Sequence, residues 1–445
     1  MEPFRNSSPC ANKSKMLLPP LTMDDKGDIS GETRPPSSKP PVSWNRWIIA
    51  AAALALVLKC TIALNTSGTN DVYFFRHFGQ AIAEQGLEWT YRYQPMFNHP
   101  PLVAYALRGL YTLSNIPSLR DNGISFPFLL RLPGIVADFA VMLLLLGLRE
   151  RLKLPASSLL LLALSPVSLM VSGFHGNTDP VLVLCIVGAA YLAVLGRPLL
   201  CGLTLALACD VKIIPLLLLP AFLFFWFRRQ HTFRFVVAFA AALLITWIQP
   251  LLTCPAAFAR NVLGYGSYWG LWGVTYWFRL TGWSGFGVLG YTGLPWSETV
   301  VMTVMKCVIL VAAVWLAWRA GRMDGRQLFI VIGCTWLVFF VFAPGIGPQY
   351  LVWLMPFLLV FAPVRFATVT LASTCFLFVF YNTIAAGLPW NLAISKDNLI
   401  PLWGPWTIWP WLAFIVALRA GWHEVMAGAG VTAKPMPLSE RHFER

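Results

Sequence analysis

The sequence predicts an all-α protein, a polytopic transmembrane helical bundle of about eleven to thirteen helices with interfacial helices in its first outer loop. Hydrophobic residues make up 57% of the 445 residues and charged residues only 12%. That is too little charged surface for a soluble chain of this length. The apolar residues also form nearly charge-free blocks of about one bilayer thickness. These blocks are 47–64, 235–248, 300–318, 328–342 and 364–380.

The net charge of +14 does not indicate a nucleic-acid-binding protein. Basic residues stand in short clusters between apolar blocks, as in 149–153, 228–234 and 319–326. This is the positive-inside pattern of cytoplasmic loops, not a basic stripe on a soluble surface. We therefore expect membrane lipid, and no nucleic acid, as a partner. The cysteines lie mostly in apolar blocks and predict no disulfide framework.

Composition divides the chain into three regions. Residues 1–43 are polar and are predicted to be a disordered cytoplasmic tail. Residues 44–420 form the transmembrane domain, and 421–445 form a second cytoplasmic tail. The block 47–64 is interpreted as an uncleaved first helix, because a long tail precedes it and no convincing small-residue cleavage site follows it.

Alternation of basic clusters predicts the topology. With the N-terminus inside, the polar segment 65–101 lies outside and carries interfacial helices such as 72–85. The segment 102–113 is interpreted as a partly inserted outer-face helix and 126–146 as a full span, so that Arg149 returns to the cytoplasm. The block 199–227 is interrupted by polar residues and Pro215, and we expect two short limbs that meet near Lys212 on the outer side.

On this topology the notable polar residues converge on the outer face. Ionisable residues at membrane depth are costly, so they mark either function or a paired structural site. The set comprises Asp71, Tyr73, His99, His175, Asn177, Asp179, Lys212, Gln349 and Tyr350.

Asp71 is the candidate general base. A carboxylate there could take the proton of an acceptor hydroxyl. The alternative is that Asp71 or Asn70 merely caps the helix that follows.

The run 175–180 is the most unusual polar stretch. A hairpin turn needs only Gly and Asn, so the additional His175 and Asp179, close enough to interact, favour function. One His and one Asp are too few ligands to predict a metal site. No cofactor is predicted, and a divalent metal is left open. His99 precedes two prolines, where it either binds a phosphate or sugar hydroxyl or simply begins a helix.

Lys212 suits an anionic phosphate. The alternative is an ion pair with Asp138 or Asp210 that holds helices together. Arg131 and Asp138 lie on one helical face, two turns apart, and either could take part in an ion pair that holds helices together. The aromatic segment 251–297 is interpreted either as a membrane-interface belt or as a lid over a lipid chain or sugar.

Several short motifs occur in a recognisable order. They are Asp71 with Tyr73, Pro100–Leu102, Arg131-Leu-Pro with Asp138, Gly176–Asp179, Lys212–Pro215, and Gln349-Tyr350-Leu351 with Trp353 and Pro356. Over residues 47 to 363, this ordered set resembles the type-C (GT-C) glycosyltransferases, membrane enzymes that use polyprenyl-phosphate sugars. The most similar subgroup is the bacterial family 87-like and phosphatidylinositol-type mannosyltransferases.

The resemblance implies inverting transfer of a sugar, mannose or a pentose, from a polyprenyl-phosphate donor to a lipid or glycan hydroxyl on the outer leaflet. It favours the bacterial cytoplasmic membrane, with the endoplasmic reticulum membrane as the alternative. It assigns catalysis to Asp71, His175 and Asp179. Because Val72 separates Asp71 from Tyr73, the family's Asp-Tyr pair is not intact, and subgroup and sugar stay open. The residues assigned to substrate binding are Tyr73, His99, Arg131, Lys212, Gln349 and Tyr350.

Two further classes of function compete with an enzyme. A multi-pass transporter or lipid flippase would relay ions through Asp138, Asp210 and Lys212, reachable from both sides of the membrane. A structural subunit would not need the polar cluster on the outer face. The discriminating observation is whether that cluster forms a one-sided cavity.

Overall fold

The computed structural model describes residues 44–264, 269–283, 294–320 and 323–431. These residues form α-helices joined by short 3₁₀ and π turns, and the predicted all-α fold is confirmed. The predicted tail 1–43 lies outside the described residues. The helices are α1 (Trp44–Asn65), α2 (Asn70–Gln85), α3 (Leu87–Tyr93), α4 (Pro101–Ser114), α5 (Pro117–Asp121), α6 (Phe126–Gly147), α7 (Arg149–Leu152), α8 (Ala156–Ala163), α9 (Pro166–Ser168), α10 (Asp179–Val194), α11 (Pro198–Val211), α12 (Leu219–Phe227), α13 (Thr232–Thr253), α14 (Pro255–Phe258), α15 (Gly273–Leu280), α16 (Trp296–Arg319), α17 (Gly325–Phe342), α18 (Met355–Leu358), α19 (Pro363–Ile384), α20 (Ile400–Trp403) and α21 (Ile408–Val431).

The polytopic architecture is confirmed by helix length and hydropathy. Within the described part of the chain, eight helical segments are long and apolar enough to cross a membrane. Three shorter apolar helices accompany them. The long segments are Trp44–Asn65, Phe126–Gly147, Ala156–His175, Thr232–Thr253, Trp296–Arg319, Gly325–Phe342, Pro363–Ile384 and Asp397–Ala427, and the shorter ones are Asp179–Val194, Pro198–Val211 and Ile214–Phe227.

Two predicted details of the helices are confirmed and two are wrong. The 14-residue α4 is not among the candidate spans. The helix break near Lys212 is present, because α11 ends at Val211, the Lys212 backbone is extended, and a 3₁₀ turn follows at Ile214–Leu218. The predicted loop 251–297 instead contains short helices, including α14 and α15. The last helix does not end near residue 420, the predicted boundary of the transmembrane domain, but continues to Val431.

Contacts between loops distinguish the two ends of the bundle. At one end lie the basic clusters, and the arginines of each cluster form hydrogen bonds with residues of neighbouring loops at the same end. Arg149 donates to Asn45, Arg326 to the carbonyls of Leu152 and Val360, Arg229 to that of Met323, and Arg365 to Glu424. At the opposite end, Ser67 bonds Asn391 beside the small parallel sheet β1 (Gly68–Thr69) and β2 (Leu392–Ala393). The basic clusters, which are spread along the sequence, therefore gather at one end of the bundle.

A buried irregular segment follows α17 and positions part of the site. Residues 349–361 are all buried, although much of this backbone is not regular α-helix. At membrane depth such backbone is tolerated where protein surrounds it, because lipid offers no hydrogen bonds. The segment carries Gln349, Tyr350 and Trp353 to the end of the bundle opposite the basic clusters.

Candidate active site

A cavity of about 450 Å³ opens at the end of the bundle opposite the basic clusters. Its wall combines polar side chains with aromatic ones, the usual composition of a small-molecule site. The polar lining comprises Asn70, Asp71, Asn98, His99, His175, Asn177, Lys212, Gln349, Tyr350, Ser395, Asp397 and Thr407, and the aromatic lining includes Phe74, Phe75, Phe78, Trp272, Phe376, Phe380 and Trp403.

Asp71 is held by two side chains, one from the last residue of the π-helix Leu169–His175 and one from the turn that follows it. Its Oδ2 lies 3.1 Å from His175 Nε2 and accepts a hydrogen bond of 2.8 Å from Asn177 Nδ2. His175 Nδ1 lies 2.8 Å from the Tyr381 hydroxyl. A neutral imidazole with its proton on Nε2 satisfies both contacts, because it donates to the carboxylate and accepts from the phenol. No described residue donates to Oδ1 of Asp71, so that oxygen is available to a ligand.

Glycines allow the two segments of this cluster to meet. Gly68 and Gly176 both have positive φ, 86° and 82°. A Cβ atom at Gly68 would lie 2.8 Å from the Phe174 carbonyl oxygen, and one at Gly176 would overlap Val72. Each position therefore requires the absence of a side chain.

Asp71 is not the cap of its helix. The N-cap of α2 is Thr69, whose hydroxyl accepts from the Asp71 N–H and donates to the His175 carbonyl. Burial by itself raises the pKa of the Asp71 carboxyl group, but hydrogen bonds from His175 and Asn177 and the positive charge of Lys212 outweigh it. The pKa therefore lies below its ordinary value, and the group is a carboxylate at neutral pH.

Lys212 is paired, but with neither of its predicted partners. Its Nζ lies 2.8 and 2.9 Å from the two carboxylate oxygens of Asp179, which also accepts from Trp353 Nε1. The ammonium group lies 4.5 Å from the centre of the Tyr350 ring, a cation–π contact. Asp179 is fully buried and does not line the cavity, whereas Lys212 does.

The expected contact between His175 and Asp179 is wrong. The two side chains lie in separate networks, one with Asp71 and Tyr381 and the other with Lys212 and Trp353. They lie four positions apart, but a turn and the start of α10 separate them.

Two residues expected to bind substrate do not line the cavity. Tyr73 is 74% exposed and packs edge-on against Phe74. Arg131 is buried, and its guanidinium binds the backbone carbonyls of Ala63, Thr66, Gly173 and Phe174. Asp138, on the same helix, pairs with Lys59 at 2.6 Å and accepts from two serine hydroxyls. Asp210 accepts from Trp247 Nε1.

His99 and Gln349 do line the cavity and are nine-tenths buried or more. No described residue bonds His99 Nδ1 or Gln349 Oε1. Burial, and then the charge of Lys212, lowers the pKa of His99 to about 3, so the imidazole is neutral at neutral pH. The described residues contain no group of three or more His, Cys, Asp or Glu side chains placed to hold a metal ion.

Residues 128–344 match the family model of glycosyltransferase family 87. Over these residues the chain is similar to glycosyltransferase family 87, a GT-C-type family of membrane enzymes. No curated protein matches its sequence. The matched segment contains His175, Asp179 and Lys212, whereas Asp71 and His99 precede it. The match favours the enzyme over the transporter and structural-subunit alternatives.

Sequence reasoning missed some of the residues that line the cavity. Asn70 and Asn98 each neighbour a predicted site residue, and that adjacency was the available signal. Asp397 and Ser395 lie on a loop more than 300 positions from Asp71, and the pairing of β1 with β2 brings that loop to the cavity. No motif in the sequence marks these two positions.

Proposed function

We propose that this glycosyltransferase moves a sugar, mannose or a pentose, from a polyprenyl-phosphate donor to a hydroxyl of a lipid or glycan acceptor, with inversion. The observation that carries the proposal is the Asp71 carboxylate, which lines a one-sided cavity and is oriented by His175 and Asn177. A carboxylate placed in this way can take the proton of an attacking hydroxyl.

The proposed reaction is a single displacement. The acceptor oxygen attacks the anomeric carbon of the donor from the face opposite the phosphate, and the carbon–oxygen bond to phosphate breaks with both electrons on the phosphate. The acceptor proton passes to Asp71. The products are the glycosylated acceptor with inverted configuration and the free polyprenyl phosphate.

Lys212 suits the phosphate end of the donor. Two of its N–H groups face the Asp179 carboxylate, and its third donor remains for a phosphate oxygen. Asp179 then acts on the donor through Lys212, since its own carboxylate is fully buried. This differs from the expectation that Asp179 takes part directly.

His99 suits a sugar hydroxyl better than a phosphate. The ring donates a hydrogen bond to the backbone carbonyl of Val211, and because Nδ1 has no described partner, the donor is Nε2. With its proton on Nε2, the neutral imidazole has Nδ1 as a hydrogen-bond acceptor, and a phosphate oxygen is an acceptor as well. Two acceptors do not bond each other without a proton. Of the two ligands considered for His99, the hydroxyl therefore fits.

The basic clusters support an outer-face site. They gather at the end of the bundle opposite the cavity, and clusters of this kind mark the cytoplasmic side of membrane proteins. We propose the bacterial cytoplasmic membrane as the location, with the endoplasmic reticulum membrane as the alternative.

A radiolabelled transfer assay tests the proposal. Purified full-length protein is given polyprenyl-phosphate mannose, pentoses and other hexoses in turn, with membrane lipid extract as the acceptor source, and nucleotide sugars serve as the contrasting donors. We expect label in the lipid or glycan fraction from at least one polyprenyl-phosphate sugar. Transfer from nucleotide sugars alone would overturn the donor class.

A further inference from the structure

Arg131 joins the two chain segments that carry the Asp71–His175 contact. Its Nη1 donates to the Thr66 hydroxyl and its Nη2 to the Thr66 carbonyl, at 2.8 and 2.5 Å. Thr66 lies five positions before Asp71, in the short connection between α1 and α2. On this side the guanidinium therefore holds the entry to the helix that bears the proposed base.

The same guanidinium also holds the segment that bears His175. Nη1 lies 3.1 Å from the carbonyl oxygens of Gly173 and of Phe174. Both carbonyls belong to the last turn of the π-helix Leu169–His175, where backbone acceptors are left without helical partners. A planar, five-donor guanidinium can satisfy several fixed acceptors at once, which an ammonium cannot do.

The start of this π-helix is fixed by a second charged group on α6. Asp138 Oδ2 accepts hydrogen bonds of 2.5 Å from Ser168 and from Ser172, and the Lys59 ammonium neutralises it. The π-helix is thus held from α6 at both ends. Single π-turns of this kind occur frequently at functional sites, where the inserted residue changes the direction of side chains.

We propose that Arg131 is a positioning residue for catalysis, which fixes the Thr66–Asp71 connection against the π-helix and so sets the distance between the Asp71 carboxylate and His175. Arg131 is fully buried and does not line the cavity. The inference rests on the proposed role of Asp71 as base. It accounts for an arginine that the motif resemblance assigned to substrate binding.

The primary test is Arg131→Lys in the full-length protein. The lysine keeps the charge but cannot bridge both segments, and misplacement by about 1 Å costs about 10²-fold in rate. We expect kcat to fall about ten- to hundredfold, while the donor KM stays within about twofold. The matched control is Arg120→Lys on α5, which is 68% exposed and should leave both constants unchanged. A raised KM with unchanged kcat would overturn the inference, because Arg131 would then bind substrate.

A double-mutant cycle separates positioning from general stability. His175→Phe removes the imidazole contact, and Asn177 still holds Asp71, so we expect reduced but measurable turnover. In that background Arg131→Lys should cost much less in kcat than in the wild type, because the contact it positions is already gone. Additive losses would show that Arg131 acts independently of the Asp71–His175 contact and would overturn the inference.

Thr66→Val is a second variant if Arg131→Lys folds poorly. It removes one acceptor of the guanidinium and preserves size, so a smaller fall in kcat at unchanged KM is expected, and no change in kcat contradicts the inference. Near-normal turnover of Asp71→Asn would overturn the proposed base and this inference together. A loss in Asp71→Asn combined with additivity in the cycle would overturn this inference alone.

Discussion

His175 Nε2 lies 3.1 Å from Asp71 Oδ2, although the two residues are 104 positions apart in the chain. The imidazole is fixed from its other side by the hydroxyl of Tyr381. The carboxylate is therefore oriented before a substrate arrives, and the oxygen that does not bond His175 or Asn177 remains for the acceptor hydroxyl. Preorganisation of this kind reduces the entropy that must be lost in the transition state.

The first prediction concerns the base. Asp71→Asn keeps the size of the side chain and an oxygen that accepts from His175, but it removes the ability to take a proton. Positioned base catalysis contributes roughly 10²–10⁴-fold, so we expect turnover to fall by about two orders of magnitude with normal expression and donor binding. Turnover is measured by radiolabelled transfer.

The control for this variant is Asp121→Asn. Asp121 lies on α5, is 69% exposed and does not line the cavity, so its loss should not change turnover. If Asp71→Asn turned over as fast as the wild type, the base would have to be sought among other cavity residues. Asp179, which the resemblance also assigns to catalysis, is fully buried, and its carboxylate could take the proton only if the local structure changed to expose it.

The second prediction concerns the buried Lys212–Asp179 pair. A lysine that only lined a cavity would contribute little packing, so its replacement by alanine would be expected to spare folding. The structure changes this expectation, since removal of Lys212 leaves the Asp179 charge buried without its partner, which typically costs 3–5 kcal/mol. We expect Lys212→Met to lower the Tm and to abolish donor binding.

The double variant Lys212→Met with Asp179→Leu separates the two roles of the pair. Replacement of a buried ion pair by apolar residues is often neutral for stability. The Tm of the double variant should therefore recover towards the wild-type value. Donor binding, measured by titration calorimetry, should stay lost. Recovery of both would make the pair purely structural and would remove Lys212 from the proposed phosphate site.

Much of the architecture could be predicted because it follows from composition and spacing. Long apolar blocks define spans, and the break at Lys212 follows from polar residues and Pro215 in one block. Pairings could not be predicted in this way, because a pairing depends on how each helix is rotated about its axis. Lys212 had several carboxylates within plausible reach, and only the packing of α10 against α11 selects Asp179.

Arg131 shows a second limit of the sequence. Its position on the face of Asp138 was correctly predicted from the seven-residue spacing. Its role depends on carbonyls that are available only because the chain forms a π-helix at Leu169–His175, and residue propensities do not distinguish that turn from an ordinary helix end. The motif therefore located the residue, but its contacts with the π-helix could be found only in the structure.

The third prediction concerns pH and His99. The pKa of His99 is about 3 in the folded protein and about 6.5 when unfolded. Between these values the unfolded chain binds the additional proton, so stability is present above pH 6.5 and is lost as the pH falls towards 3. We expect His99→Gln to reduce the loss of Tm between pH 6.5 and 4.

His77→Gln is the matched control, because His77 is exposed on α2 and its replacement should not alter the acid dependence of the Tm. Asp71 contributes with the same sign, but at a lower pH. Its pKa is lowered below its ordinary value of about 4, so its contribution is present above that value and is lost only below it. An acid-induced loss of Tm at pH 4–6.5 that was identical in the wild type and His99→Gln would contradict a buried neutral imidazole.

The fourth prediction concerns sidedness. The cavity and the basic clusters lie at opposite ends of the bundle, and the positive-inside rule places the basic end in the cytoplasm. In a cysteine-free background, Lys396→Cys beside the cavity and Arg151→Cys at the basic end are both at exposed positions. A membrane-impermeant maleimide added to intact cells should label the first and reach the second only after the membrane is opened. Labelling of Arg151→Cys from outside would invert the topology, and transfer from an outer-leaflet donor could then no longer be maintained.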